Sequence, residues 1–187
     1  VFPENLSAEN QPDGQIVVVD ISDPATPTEV DIVDVSARDQ PGLVSDGETL
    51  FVGRVDADTG DNVLTAYSLD NPATPTPIGS VVLEAALDGW APSDLSRALA
   101  LDDGYVYGSM QGSLSDDLET RIFVVNGNDP TAMPLTGVGK VGGKISEFSE
   151  IAVDGDRAVL RGGNVQPVFV DVGDPTAPVQ LGQWSFS

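Results

Sequence analysis

The stretch DISDPATPTEV (residues 20–30) returns as SLDNPATPTPI (68–78), with the proline of its (Asp/Asn)-Pro pair moved from position 24 to 72. Looser copies follow as NGNDPTAMPL (126–135) and DVGDPTAPVQ (171–180), with the matching prolines at 130 and 175. The spacings are 48, 58 and 45 residues, so the phrase marks a repeat of about fifty residues. Proline presets one backbone angle of the turn, and Asp or Asn before it can close an Asx-type turn with its own side chain. The phrase is thus assigned to folding.

Strand-like segments surround each copy. QIVVVDIS (15–22), NVLTAYSLD (62–70), TRIFVVNGN (120–128) and PVFVDVGD (167–174) precede the turn. TEVDIVDV (28–35), PIGSVVL (77–83), PLTGVGKV (134–141) and PVQLGQWSF (178–186) follow it. Farther upstream, SDGETLFVG (45–53), LDDGYVYGS (101–109) and VDGDRAVLRG (153–162) each break a β-prone stretch with Asp-Gly, a strong hairpin signal. Each unit therefore carries about four short strands without helical periodicity. Such a unit cannot bury both faces alone, so neighbours must stack.

The expected fold class is all-β: a β-propeller of about four repeats, each a four-stranded antiparallel blade, over 1–41, 42–93, 94–146 and 147–187. The phrases IVVVDISDPATPTEV and VFVDVGDPTAPVQLG resemble the LVIVD repeat, a β-propeller repeat of bacterial and archaeal extracytoplasmic proteins. The resemblance extends over nearly the whole chain, most specifically in the strand and DP turn, least in the third unit. It implies a propeller and an address at the cell surface or outside the cell, with no catalytic motif to transfer. Val1-Phe2 aligns with Phe51-Val52, so the first blade is expected to be incomplete. A longer propeller, a ring of two copies, or a four-bladed ring with a short first blade would accommodate it.

Thirty acidic residues against eight basic ones leave a net charge of −22. Nucleic acid is excluded as a partner, since phosphate binding needs a basic footprint. Such a surface repels itself in dilute buffer and is screened at molar salt, which favours a salty environment over an ordinary acidic secreted protein. Cysteine and histidine are both absent, which removes disulfides, thiolate nucleophiles, imidazole bases and His-ligated metals. No apolar run approaches the roughly 18 residues of a membrane span. No signal peptide is evident, and Val1 falls in mid-pattern, which places any such signal upstream or already removed.

Function is expected on the irregular segments that share one end of the blades: 3–14, 54–62, 108–120 and 161–166, with the connections 36–42, 84–97 and 142–150. Asp56, Asp58, Asp61 and Asn62 sit on a Gly-containing turn and could converge oxygens on Ca²⁺, although the full spacing and bidentate Glu of a calcium loop are missing. The alternative is a solvated acidic loop. Asp116, Asp117 and Glu119 form a weaker cluster. Trp90, beside Arg97, could stack on a sugar or anchor a protein partner, with Arg38 on the same end, or else plug the gap between blades. Trp184 reads as core, and Tyr105 and Tyr107 as packing between blades. The arginines read as local partners of Asp or Glu. Asp94, Asp102 and Asp103 read as turn or capping residues; no pair of carboxylates stands out as a glycosidase pair. The leading expectation is a noncatalytic surface or secreted module that binds a protein or glycan or self-associates. The alternative is an extracytoplasmic carbohydrate-active hydrolase or lyase using carboxylates, with calcium assistance.

Overall fold

A computed structural model describes residues 14–37, 41–83, 91–114, 117–142, 148–162 and 165–184. Fourteen strands form four antiparallel sheets among these residues. The first sheet pairs β1 (Gln15–Asp20) with β2 (Thr28–Asp34). The second runs in sequence order from β3 (Gly42–Ser45) through β4 (Thr49–Val55) and β5 (Asn62–Ser68) to β6 (Thr76–Val82). The third holds β7 (Ala91–Asp102), β8 (Tyr105–Leu114), β9 (Asp117–Asn126) and β10 (Leu135–Lys140). The fourth holds β11 (Phe148–Asp154), β12 (Arg157–Gly162), β13 (Val165–Asp171) and β14 (Val179–Gln183). The three complete four-strand meanders agree with the repeat reading, and the described first sheet contains only the last two strands of a unit.

The recurring phrase is a self-capped turn. Asp23 accepts hydrogen bonds from the Ala25 amide (3.0 Å) and the Thr26 hydroxyl (2.9 Å), and Asp174 from the amide and hydroxyl of Thr176 (2.9 and 2.6 Å). Asp129 does the same with Thr131 (3.1 and 2.6 Å), and Asn71 caps Ala73 and Thr74. Beyond the turn every unit carries a β-bulge at one equivalent position, where the register shifts around Val30, Ile78, Thr136 and Leu181. At the other hairpin, Asp103 and Gly104 both have positive φ (45° and 75°), the geometry of a two-residue turn whose twist suits the strands it joins.

The sheets stack face to face. Phe51, Leu64 and Ala66 of the second sheet meet Val106, Met110, Phe123 and Val125 of the third in one core. Tyr107, Ile122 and Val124 of the third meet Ala158, Leu160, Val168 and Val170 of the fourth in another. Ile16, Val33 and Val35 beside the first sheet meet Leu50, Val52 and Tyr67 of the second. Tyr105 packs with Tyr107 at the second of these interfaces, as the sequence suggests.

In the second and third sheets a glycine just after the bulge lets the next DP turn approach. A Cβ on Gly79 would lie 2.1 Å from the Pro130 carbonyl oxygen, and one on Gly137 2.2 Å from that of Pro175. The first sheet has Asp31 at this place, and Pro72 of the following turn stays exposed, whereas Pro130 and Pro175 are half-buried. On β7, the opposite edge of the third sheet from β10, Asp102 ties that sheet to the fourth by accepting the Gly155 amide at 3.0 Å. That role, and Asp103's place in the turn, match the structural reading of both residues.

Three expectations about loops are corrected. Most of 108–120 is ladder: β8 and β9 pair out to Leu114 and Asp117, because the hydrogen-bonded register continues through the Gly- and Ser-rich sequence. Likewise 91–97 belongs to β7, which accommodates Pro92 through register shifts, and 148–150 belongs to β11.

Candidate functional site

Antiparallel order sends the Asp-Gly and (Asp/Asn)-Pro turns to one end of the sheets, and the 56–61 loop and inter-sheet connections to the other. The best-described feature of that second end is Asp56. It bridges to Ala37, and the Ala57 amide donates to the Ser36 carbonyl, so this loop clasps the first sheet to the second. Asp56 Oδ1 accepts the amides of Asp58 (3.1 Å) and Thr59 (3.0 Å), and Oδ2 accepts Arg54 Nη2 at 3.1 Å. The Thr59 amide foremost, with the Asp58 amide and the Arg54 charge, holds its carboxyl below the usual range against the opposing effect of burial. Arg54 also donates to Thr65 Oγ1 at 3.1 Å. Both oxygens of the leading candidate calcium ligand are thus engaged within the protein. Among the described residues no three Asp or Glu side chains gather as a metal site, and Asn62 is buried at the start of β5.

Glu119 is buried on β9, where it accepts Lys140 Nζ at 2.5 Å and Arg121 Nη2 at 3.2 Å. The Lys140 hydrogen bond, followed by that of Arg121, holds its carboxyl below the usual range. Of its expected companions, Asp116 lies outside the described residues, and only the backbone of Asp117 is described. Arg157 pairs with Asp156 and Asp171, and Arg161 with Glu150, so the four arginines with described side chains all have acidic neighbours.

Trp90 and Arg38 fall outside the described residues, as does the side chain of Arg97, whose backbone lies in β7. Sequence reasoning missed a different surface. Trp184, expected in the core, is 54% exposed; it tilts against Phe169 with ring centroids 6.4 Å apart. Both rings lie on the outer face of the last sheet, the side away from the third sheet, which no described sheet covers. With Leu181, Gly182 and Gln183 they line a shallow, open cleft. Cross-strand pairing continues this face as a row of Ala152, Val159, Phe169 and Gly182. An apolar row on an outer face is a surface for packing, without ionisable chemistry.

The LVIVD repeat model matches residues 11–35. The match takes in β1, the first DP turn and β2, and bears out the resemblance read from those strands. A comparison with curated proteins finds no match.

Proposed function

We propose that the four sheets are blades of a β-propeller, and that the chain is a noncatalytic module, outside the cytoplasm, that binds a protein or glycan or assembles on a surface. The observation that carries this reading is that five of the described acids are fixed by donors of the fold itself. Asp20, Asp56, Asp129, Asp174 and Glu119 all have lowered pKa values, because amide, hydroxyl or cationic donors hold their charged forms. A glycosidase general acid needs the opposite, a carboxyl held protonated by an apolar pocket or a like charge. No described helix is long and apolar enough to cross a membrane. The −22 charge is consistent with solubility at high salt.

Incubation with a glycan panel in molar salt, with product analysis, tests the noncatalytic reading. Calorimetric titration with the same glycans then measures binding, comparing wild type with Trp90→Ala and Arg97→Ala. Saturable binding without turnover supports the module; turnover abolished by an Asp→Asn change on the loop end would establish the hydrolase or lyase instead. A calcium-dependent rise in melting temperature that is lost in Asp58→Asn or Asp61→Asn would establish the metal reading of the 56–61 loop.

A further inference from the structure

The two ends of the stack are complementary halves of the interface that the chain uses internally. In the second sheet the cross-strand row Val44, Phe51, Ala66 and Gly79 is covered by the third sheet. In the third sheet the row Ala100, Tyr107, Val124 and Gly137 is covered by the fourth. The register places Ala152, Val159, Phe169 and Gly182 as the same row in the last sheet. Among the described residues nothing lies within 4 Å of a Cβ built on Gly182, where its counterparts meet a proline carbonyl at 2.1 and 2.2 Å. The receiving surface is therefore formed, glycine included.

The opposite half is at the other end. Each unit's third strand turns two alternate residues toward the preceding sheet: Phe123 and Val125 in the third unit, Val168 and Val170 in the fourth, all 0% exposed. Their equivalents in the first unit are Val17 and Val19, which are 51% and 44% exposed. Pro24 of the first DP turn is also exposed. We infer that the first sheet of a second copy of this chain docks on the last sheet of the first copy. The Pro24 turn then abuts Gly182, and Val17 and Val19 cover Phe169.

This deepens the assembly part of the proposed function and rests on it. The contact is heterologous, so it closes into a ring if the rotation permits and otherwise continues as a filament. Two copies bring eight sheets, the upper end of the roughly four to eight blades usual in propellers. Mutual repulsion between two copies of charge −22 opposes the contact, so it forms where about 1 M salt shortens the Debye length to ~3 Å.

Sedimentation equilibrium of the chain in molar salt, without any ligand, reads the inference directly. The expected particle has twice the 19.4 kDa mass of the chain. Gly182→Val should weaken association about tenfold or more, because a side chain there meets the incoming carbonyl. Val17→Ser/Val19→Ser, at the other end and on exposed positions, should weaken it as well and guards against a folding defect in the first variant. Mixing the two variants should restore one intact interface and hence a mixed dimer. An open-ended series weakened by both variants would uphold the docking as a filament. A wild-type monomer at all concentrations, or association that either variant leaves unchanged, would overturn it. Glycan or protein binding by such a monomer would leave the module reading standing, so the two failures are distinguishable.

Discussion

Alanine at Gly79 or Gly137 should strain the stack in a way that alanine at Gly53 does not. A Cβ on Gly79 would lie 2.1 Å from the Pro130 carbonyl oxygen, and ordinary contact begins at 3.4 Å, so the sheets must part there by about 1.3 Å. The obstacle is backbone in a self-capped turn, which cannot rotate aside as a side chain can. A radial gap of 0.5–1 Å forfeits about a quarter to a half of a dispersion contact, and the nearby core holds Phe51, Phe123 and Met133. Overpacking of this kind costs about 1–3 kcal/mol, offset by the ~0.5–1 kcal/mol that alanine gains over glycine in a strand. The net loss, up to about 2.5 kcal/mol, corresponds to a melting temperature lower by as much as roughly 10 °C for a domain of this size. At Gly53 the nearest atoms are the Leu95 and Leu99 methyl tips at 3.1 and 3.3 Å, which can yield. Thermal melts in molar salt, followed by circular dichroism, compare the three variants with wild type. If Gly79→Ala and Gly137→Ala melted no lower than Gly53→Ala, the turn-on-glycine account of the stacking would be refuted.

Two further predictions concern the acids. The Asp174 carboxyl is lowered below its ordinary 3.8 by the Thr176 hydroxyl first and then the Thr176 amide. Its stabilisation should be fully present above pH ~4 and fade as pH falls through the lowered value. The melting-temperature gap between wild type and Asp174→Ala, measured against pH, should follow that course; a gap that widened in acid would contradict it. Glu119→Gln leaves Arg121 and Lys140 facing a neutral amide. Because Lys140 is well exposed and Glu119 is not, the loss should fall at about 1–2 kcal/mol, between exposed and buried pairs. Urea unfolding of this variant measures it, and an unchanged midpoint would show that the triad contributes nothing.

The fold was legible where its signals are local. A DP or DG turn is specified by the few residues that form it, so the hairpins at Pro24, Pro72, Pro130 and Pro175 could be read one at a time. The extension of β8 and β9 was not legible, because GSMQGSL (108–114) has little strand preference of its own and is held by its ladder. Trp184 shows the same limit from the other side. Alternation identifies which residues share a face, but whether a neighbour covers that face depends on the arrangement of whole sheets. The apolar row from Ala152 to Gly182 depends on register across four strands and on a bulge at Leu181, neither written in any one segment. At the loop end, Asp56 was legible as an important acid. Its role as turn hub and Arg54 partner required the hydrogen bonds.

The most direct test of the stacked-sheet account is the pattern of nuclear Overhauser effects between α-protons of successive sheets. The Gly79 Cβ direction ends 3.0 Å from Thr131 Cα. A strong cross-peak is therefore expected between a Gly79 α-proton and the Thr131 α-proton, with a matching contact between Gly137 and the 175–176 segment. Their absence, in a protein whose within-sheet cross-peaks match the registers above, would contradict the stacking.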